Sequence, residues 1–315
     1  MYRVGIDLGG TNIKAVLTDE DFSIVAQKSV PTGAERPATD VIRDMAQAVI
    51  ELIEESGINR NDVKGIGIGC PGIVDAKTGL VVYSNNLHWE NVPLADEMHK
   101  YVNLPIFATN DANAAALGEV KAGAAKGKSD VAMITLGTGV GGGFVVDGKI
   151  FEGGGPGGAE YGHTVIVAGG EQCSCGRKGC FEAYSSATAL IRDTRKAAQQ
   201  HPESLINKVC GGDLDKIDGK TPFDAADMGD ATAEEVLNKY YEYLGEGLTN
   251  VVNTFRPEVI LLSGGICKQG KRLTDPLNAY VQEHSYAGRR VFIPEVACAT
   301  LGYNAGLIGA AALVD

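Results

Sequence analysis

The chain has 315 residues, with 28 Lys+Arg against 40 Asp+Glu, and a formal net charge of −12. At roughly 150 residues per domain this length predicts about two domains, and a chain this long needs neither disulfides nor a metal to hold a core. The acidic balance excludes a broad face for nucleic acid or for anionic membranes, because either would be repelled.

The hydrophobic share of 44% and charged share of 22% are those of a folded chain, not a disordered one. The longest run of apolar residues and glycine, Ala305 to Val314, is half of what a membrane span needs. Tyr2-Arg3-Val4-Gly5-Ile6 reads as a strand and not as a secretory signal. Seven cysteines, an odd number without an export signal, predict reduced thiols or metal ligands in a cytoplasmic protein. Glycine is in surplus, at 42 residues. It clusters at the ends of apolar runs, which predicts tight turns and close backbone approach to a ligand.

In chain order, the first strand runs into Gly9-Gly10-Thr11, then a strand over 13–17, a turn at Asp19-Glu20-Asp21 and a strand over 23–30. Residues 39–56 carry apolar side chains at helical spacing, and Gly57 follows as a C-cap. Short buried strands are predicted over 65–70, ended by Pro71-Gly72, and over 105–109. The second runs into Asn110-Asp111-Ala112-Asn113 and an Ala-rich helix to about Gly123. Further on come a cysteine-containing loop at 173–180, helices near 183–200 and 231–255, a strand over 258–262 ended by Ser263-Gly264-Gly265, and a last apolar helix near 303–313. Residues 201–230 are polar and read as loop or short helices.

The pattern of the first residues returns. Ile6-Asp7-Leu8-Gly9-Gly10-Thr11 aligns with Ile134-Thr135-Leu136-Gly137-Thr138-Gly139 at a constant offset of 128, and Val16-Leu17-Thr18-Asp19 aligns with Phe144-Val145-Val146-Asp147 at the same offset. Each half opens with strand, glycine loop, strand, turn and strand. The reading is a duplicated α/β fold whose two glycine loops face a common cleft.

Three constellations carry chemistry. A strand–glycine turn–strand unit aims several backbone N–H groups into a concavity that suits phosphate. A carboxylate beside phosphates is repelled unless a cation lies between, so Asp7 points to Mg²⁺, with Thr11 and Lys14 as phosphate partners. The plain alternative is an ordinary hairpin. Asp111 stands where a strand meets a helix, which suits either an N-cap or a base for a substrate hydroxyl. A helix N-terminus favours the carboxylate, so a lowered pKa is expected. His163, Cys173, Cys175 and Cys180 offer one imidazole and three thiols within 18 residues. That is a closed structural zinc set, set against incidental thiols. The same loop carries Glu160 and Glu182, which with Asn86, Asn110 and the His163 ring suit a polyhydroxylated ligand or, as the plain alternative, a solvated surface. Trp89 reads as a core or hinge anchor, and Cys70, Cys210, Cys267 and Cys298 as scattered core residues.

Gly5 to Lys14, Asn110 to Asn113, Leu136 to Gly143, Glu160 to His163 and Cys173 to Glu182 resemble the successive signatures of the ROK family of repressors, open-reading-frame products and sugar kinases. The resemblance spans residues 5 to about 306, and within the family the pattern is most similar to the bacterial glucokinases of Gram-positive type. It implies an actin-like, ribonuclease-H-type duplicated fold with ATP and sugar in the cleft of two domains, here expected as 1–115 plus 302–315 and 116–301. It implies Asp111 as the base, and Gly72, Asn86, Asn110, Glu160, His163 and Glu182 as sugar ligands. Asp7, Gly9, Gly10, Thr11, Asn12, Lys14, Gly137, Thr138, Gly139, Gly264 and Gly265 would surround ATP and Mg²⁺, and a homodimer is expected. Gly157-Gly158-Ala159-Glu160-Tyr161 departs from the family's usual Ala-Gly-Glu followed by Leu or Ile.

The expected function is therefore ATP-dependent phosphorylation of glucose at its 6-hydroxyl, with an N-acetylhexosamine, mannose or fructose kinase as the alternative substrate reading. A sugar-responsive repressor would need a DNA-reading helix-turn-helix module. The phosphate loop begins at residue 5, which leaves no room for one upstream. An actin- or chaperone-like ATPase leaves Asn110-Asp111 and the cysteine loop unexplained.

Overall fold

The computed structural model describes all 315 residues, Met1–Asp315. The chain opens with β1 (Tyr2–Leu8), β2 (Asn12–Thr18), β3 (Ile24–Pro31) and α1 (Ala38–Ser56), followed by β4 (Val63–Cys70). Three short strands, β5 (Ile73–Asp75), β6 (Leu80–Ser84) and β7 (Trp89–Val92), precede α2 (Leu94–His99), β8 (Ile106–Asn110) and α3 (Asp111–Ala122). Next come β9 (Val131–Leu136), β10 (Val140–Val146), β11 (Lys149–Ile150) and α4 (Glu182–Ser185). Then follow α5 (Ala187–Gln200), α6 (Leu205–Val209), α7 (Thr221–Asp227) and α8 (Ala231–Phe255). The chain ends with β12 (Val259–Ser263), α9 (Lys271–His284), β13 (Glu295–Cys298) and α10 (Ala305–Ala312).

Two five-stranded sheets have the orders β3-β2-β1-β4-β8 and β11-β10-β9-β12-β13. The orders match when β1, β2 and β3 are equated with β9, β10 and β11, so the repeat at an offset of 128 is a true structural duplication. In the first sheet β1 pairs antiparallel with β2 and parallel with β4, and β4 pairs parallel with β8. In the second, β12 pairs parallel with β13.

The chain forms two compact units: Met1–Met133 with Gly143–Ala159 and Ala299–Asp315, and Ile134–Gly142 with Glu160–Cys298. The boundary expected at 115/116 falls inside α3. That helix packs along α10 through backbone contacts: a Cβ on Gly309 would lie 1.6 Å from the Ala114 carbonyl oxygen, and one on Gly118 2.1 Å from that of Ala305. Separating the two helices would break this contact, so the first unit keeps α3 whole.

β1 shows why residues of this type form a central strand. Val4, Ile6 and Leu8 alternate onto one face, where they pack with Val41, Ile42, Met45, Val49 and Leu52 of α1. Each such side chain, fully buried, stabilises the first unit by roughly 1.5–3 kcal/mol. On the other face the strand has Gly5. A Cβ there would lie 2.0 Å from the Leu307 carbonyl oxygen, and one on Gly67 of β4 would lie 1.7 Å from that of Ala310. Gly5 and Gly67 thus let α10 rest directly on the sheet, a use of glycine different from the ligand approach expected from sequence.

Glu119, in α3, is fully buried yet satisfied. Its carboxylate accepts from the backbone N–H of Ala124 at 2.7 Å, Thr300 at 3.0 Å and Leu301 at 2.8 Å. It therefore caps the turn after α3 and fixes the segment that leads from β13 into α10. The sheet β5-β6-β7 was not foreseen, because its strands are short and interrupted by the polar turns at 76–79 and 85–88. β13 was likewise missed. Residues 201–230 form α6, α7 and a small core with Ile206, Cys210, Ile217 and Ala225.

Gly67→Ala should destabilise the protein by more than about 3 kcal/mol, because the new methyl meets backbone and not a side chain that can turn away. Thermal unfolding checks this; a Tm within a degree of the parent would contradict direct helix-on-sheet contact.

Candidate active site

In the first unit, β1 delivers Asp7 to the edge of the turn Gly9-Gly10-Thr11, and β2 leads away from it. Gly9 N–H bonds the Asn12 carbonyl at 3.1 Å, which closes the turn. Thr32, fully buried and not noticed in the sequence, holds the turn from beneath: its hydroxyl donates to Gly9 O at 2.6 Å and its N–H to Thr11 O at 2.9 Å. Over the turn lies the loop between β6 and β7, with Asn86 O 3.3 Å from where a Cβ on Gly10 would sit. Lys14 stands opposite Asp7 in the β1–β2 ladder, and its Nζ lies 5.7 Å from the centre of the exposed Tyr303 ring.

β8 ends on Asn110, and α3 begins on Asp111. Asn110, not Asp111, is the N-cap. Its Oδ1 accepts from Ala112 N at 2.8 Å and Asn113 N at 3.3 Å, while its Nδ2 donates to Gly72 O at 2.9 Å. Gly72 has φ +104 and no room for a side chain, since a Cβ would lie 2.2 Å from Tyr83 O. Asn110 and Gly72 thus form a clamp that fixes where α3 starts. The helix cap is thus Asn110, and the Asp111 Oδ1 accepts from Ala112 N at 2.9 Å.

Asp111 is exposed. Even so, the surrounding protein strips hydration from the carboxylate and raises its pKa, and the nearby charge of Asp7 raises it further. The hydrogen bond from Ala112 N–H opposes this without winning. The lowering expected from the helix N-terminus is thus overturned by desolvation and like charge. Asp7 is raised too, by burial, with Lys14 pulling the other way.

In the second unit the matching turn follows β9. Gly137 N–H bonds Gly139 O at 3.0 Å, and Gly137 O accepts from Ala187 N–H at the start of α5 at 2.9 Å. Thr135, the counterpart of Asp7, carries no charge and turns its hydroxyl to Gly141 N–H at 3.1 Å. Gly264 follows β12 with φ +119, and a Cβ there would lie 2.0 Å from Leu136 O, so the Gly264-Gly265 turn sits on the end of β9. Gly137, Thr138 and Gly265 are exposed.

The cysteine loop is anchored on α8. Phe181 is fully buried beneath Gly247, whose Cβ would lie 2.1 Å from the ring. The Tyr184 hydroxyl accepts from Glu171 N–H at 2.6 Å, and the Tyr240 hydroxyl donates to Ser185 O at 2.9 Å. One ligand atom each from His163, Cys173, Cys175 and Cys180 lie within 4.8 Å of one another. Cys173 Sγ is 3.7 Å from His163 Nδ1, and Cys175 Sγ is 3.6 Å from Cys180 Sγ. Zinc with three thiolates and one imidazole has tetrahedral edges of about 3.6–3.8 Å, so the donor set fits that ion. Nδ1 faces the thiols, which leaves Nε2 for another partner.

Glu182 links this loop to the glycine turn: Oε2 accepts from Val140 N–H at 3.0 Å and Oε1 from the Ser174 hydroxyl at 2.8 Å. Its two oxygens are thus already engaged, unlike those of a solvated surface glutamate. Glu160 is exposed. Its carbonyl accepts from His163 N–H at 3.1 Å. Ala159 adopts φ +63, a left-handed conformation that costs a residue with a Cβ. Tyr161 is buried edge-on against Phe181, with ring centres 6.2 Å apart. Trp89 is buried, as expected of a core anchor.

The raised pKa of Asp111 has a stability consequence. Its folded-state pKa lies above the unfolded value, so the charged form opposes folding. The cost is fully present above the folded pKa and vanishes as pH falls below the unfolded one. Asp111→Asn, which keeps the acceptor for Ala112 N–H, should therefore raise Tm at pH 7, by little because solvent screens an exposed group, with the gain shrinking as pH falls. A lower Tm at pH 7 would contradict the desolvated carboxylate.

A profile of the ROK family matches residues 3–315. A glucokinase of Thermotoga maritima is 36% identical over 99% of this chain and 96% of its own length. The xylose repressor of Bacillus subtilis is 29% identical over 99% of this chain and 77% of its own. Among solved structures, a ROK family glucokinase from Streptomyces griseus in complex with glucose and AMPPNP is 36% identical, with a TM-score of 0.78 over 99% of both chains. With the duplicated sheets and the ordered motifs, these similarities show that the chain belongs to the ROK family.

Proposed function

We propose that the chain is an ATP-dependent hexose kinase that transfers the γ-phosphoryl group to the 6-hydroxyl of glucose, with Asp111 as the general base. The observation that carries this reading is Asp111 itself: a carboxylate at the start of α3, relieved of capping by Asn110 and raised in pKa by burial and by Asp7. A raised pKa makes it a better proton acceptor toward an alcohol than an ordinary surface aspartate. Similarity to the glucokinases of T. maritima and S. griseus supports the substrate pair.

In this reading the turns Gly9-Gly10-Thr11-Asn12 and Gly137-Thr138-Gly139 offer backbone N–H groups to the phosphates, with Gly264-Gly265 beside them. Lys14 supplies positive charge opposite Asp7. Asp7 would hold Mg²⁺ directly or through water, and the ion supplies charge neutralisation between the phosphate oxygens. Hydroxyls of the sugar are received by Asn86, Glu160, the His163 ring and the remaining lone pairs of Glu182. Asn110 and Gly72 act by fixing Asp111. The transition state of phosphoryl transfer is loose, so most of the rate comes from position and charge, and the base completes the proton transfer. His163, Cys173, Cys175 and Cys180 would hold Zn²⁺ in a closed set, and the ion supplies order to the loop that carries Glu160 and Glu182.

The relation to the xylose repressor favours a second reading, a sugar sensor without turnover. ADP release with Mg-ATP over glucose, mannose, fructose, allose, N-acetylglucosamine and N-acetylmannosamine tests both. The highest kcat/KM should fall on glucose. Another preferred sugar would move the specificity, and no turnover in zinc-loaded protein would favour the sensor.

Asp111→Asn should lower kcat by roughly 10²–10⁴ while glucose binding stays nearly unchanged; near-normal turnover removes Asp111 from the base role. Cys175→Ser should lose zinc and weaken sugar binding. One zinc per chain retained in that variant would contradict the metal assignment.

A further inference from the structure

Cys267 and Cys298 have no part in the reaction above, and the sequence presents them as scattered core residues. The fold brings them together from 31 positions apart. Cys298 ends β13, which pairs in parallel with β12 so that Leu262 lies opposite Cys298. Cys267 lies in the turn Gly265–Gln269 that follows β12. Cys298 Sγ approaches the Cys267 carbonyl oxygen at 3.7 Å. Both residues are half-buried and accessible to a small reagent, whereas Cys70 and Cys210 are buried.

Cys267 is also tied to the adjacent turn, since its N–H donates to Gly264 O at 3.1 Å. Gly264 in turn has no free space, because its Cα faces the Leu136 carbonyl at the end of β9. A shift of Cys267 is thus passed to Gly264-Gly265 and to the start of the Gly137-Thr138-Gly139 turn.

We propose that Cys267 and Cys298 form a reversible disulfide, a modification site that sets the position of the Gly264-Gly265 turn and so controls nucleotide binding. The control half of this proposal rests on the reading of that turn as a nucleotide contact. The oxidant is hydrogen peroxide. The Cys298 thiolate attacks one peroxide oxygen, forming S–O and breaking O–O, and hydroxide leaves. The Cys267 thiol then attacks that sulfur, forming S–S and breaking S–O. Its proton and the departing hydroxide leave as water. Two thiols lose two electrons, and peroxide is reduced to two waters. The pair is suited to this order of events: hydrogen bonding with the Cys267 thiol lowers the Cys298 pKa to about 7, while the Cys267 thiol is pushed up. A dithiol reductant reverses the bond by exchange.

The test uses the full zinc-loaded chain, reduced and then treated with hydrogen peroxide in small molar excess. Free thiols are trapped by alkylation, and peptides are read by mass spectrometry. Calorimetry with a non-hydrolysable ATP analogue gives nucleotide affinity before and after. The expected result is a Cys267–Cys298 cross-linked peptide two hydrogens lighter than the reduced pair, a Kd for the analogue raised about tenfold, and recovery of both on reduction. Cys267→Ser and Cys298→Ser should each bind the analogue like the reduced parent and show neither change. Oxidation of Cys298 to sulfinic acid without the cross-link overturns the proposal, as does a cross-link that leaves Kd unchanged. Reduced protein that binds no analogue overturns the nucleotide reading, and with it the control, while the cross-linked peptide still reports the pair, so the two failures are told apart.

Discussion

The direct contact of helix backbone on sheet backbone is the constraint from which the first unit is built. Gly5 and Gly67, paired on neighbouring strands, leave one face without side chains at that point, and α10 lies in the space they leave. Gly118 and Gly309 repeat the device between α3 and α10. Ordinary side chains would hold helices some 8–10 Å away, so these glycines bring α3 inward. Its first residue then stands at the end of β8, with Asn110 clamped to Gly72 beside it. The position of Asp111 is a result of core packing as much as of the local sequence.

That position has an energetic cost and a use. A carboxylate that has lost hydration, close to a second carboxylate at Asp7, is harder to ionise than one on an open surface. In the proposed reaction that greater proton affinity is what a base toward an alcohol needs. The duplication sharpens the contrast. Where the first copy carries Asp7, the second carries Thr135, which satisfies its own strand and brings no charge. One copy keeps the carboxylate while both keep a glycine turn after the first strand.

Features local in sequence were legible before the structure. The repeat at an offset of 128 and the spacing of His163, Cys173, Cys175 and Cys180 depend on neighbours along the chain, and the matching sheet orders and the clustered donors agree with them. What could not be read was set by partners distant in sequence. The capping role went to Asn110 because Gly72, 38 residues earlier, accepts its amide. The expected fall in the Asp111 pKa gave way to a rise because desolvation and Asp7 outweigh the helix terminus. Thr32 offered no motif at all, and only the fold shows that it supports the Gly9-Gly10 turn. Ala159 could be seen to depart from its family, but its left-handed backbone could not.

The measurement closest to the centre of this account is the pH dependence of kcat/KM for hexose phosphorylation in the parent and in Asp111→Asn. This quantity reports ionisations of the free enzyme. The account predicts an acidic limb in the parent whose apparent pKa lies above that of an ordinary aspartate, because burial and Asp7 raise it, and the loss of that limb in the variant along with most of the rate. An acidic limb unchanged by the substitution would contradict the assignment of Asp111 as the proton acceptor.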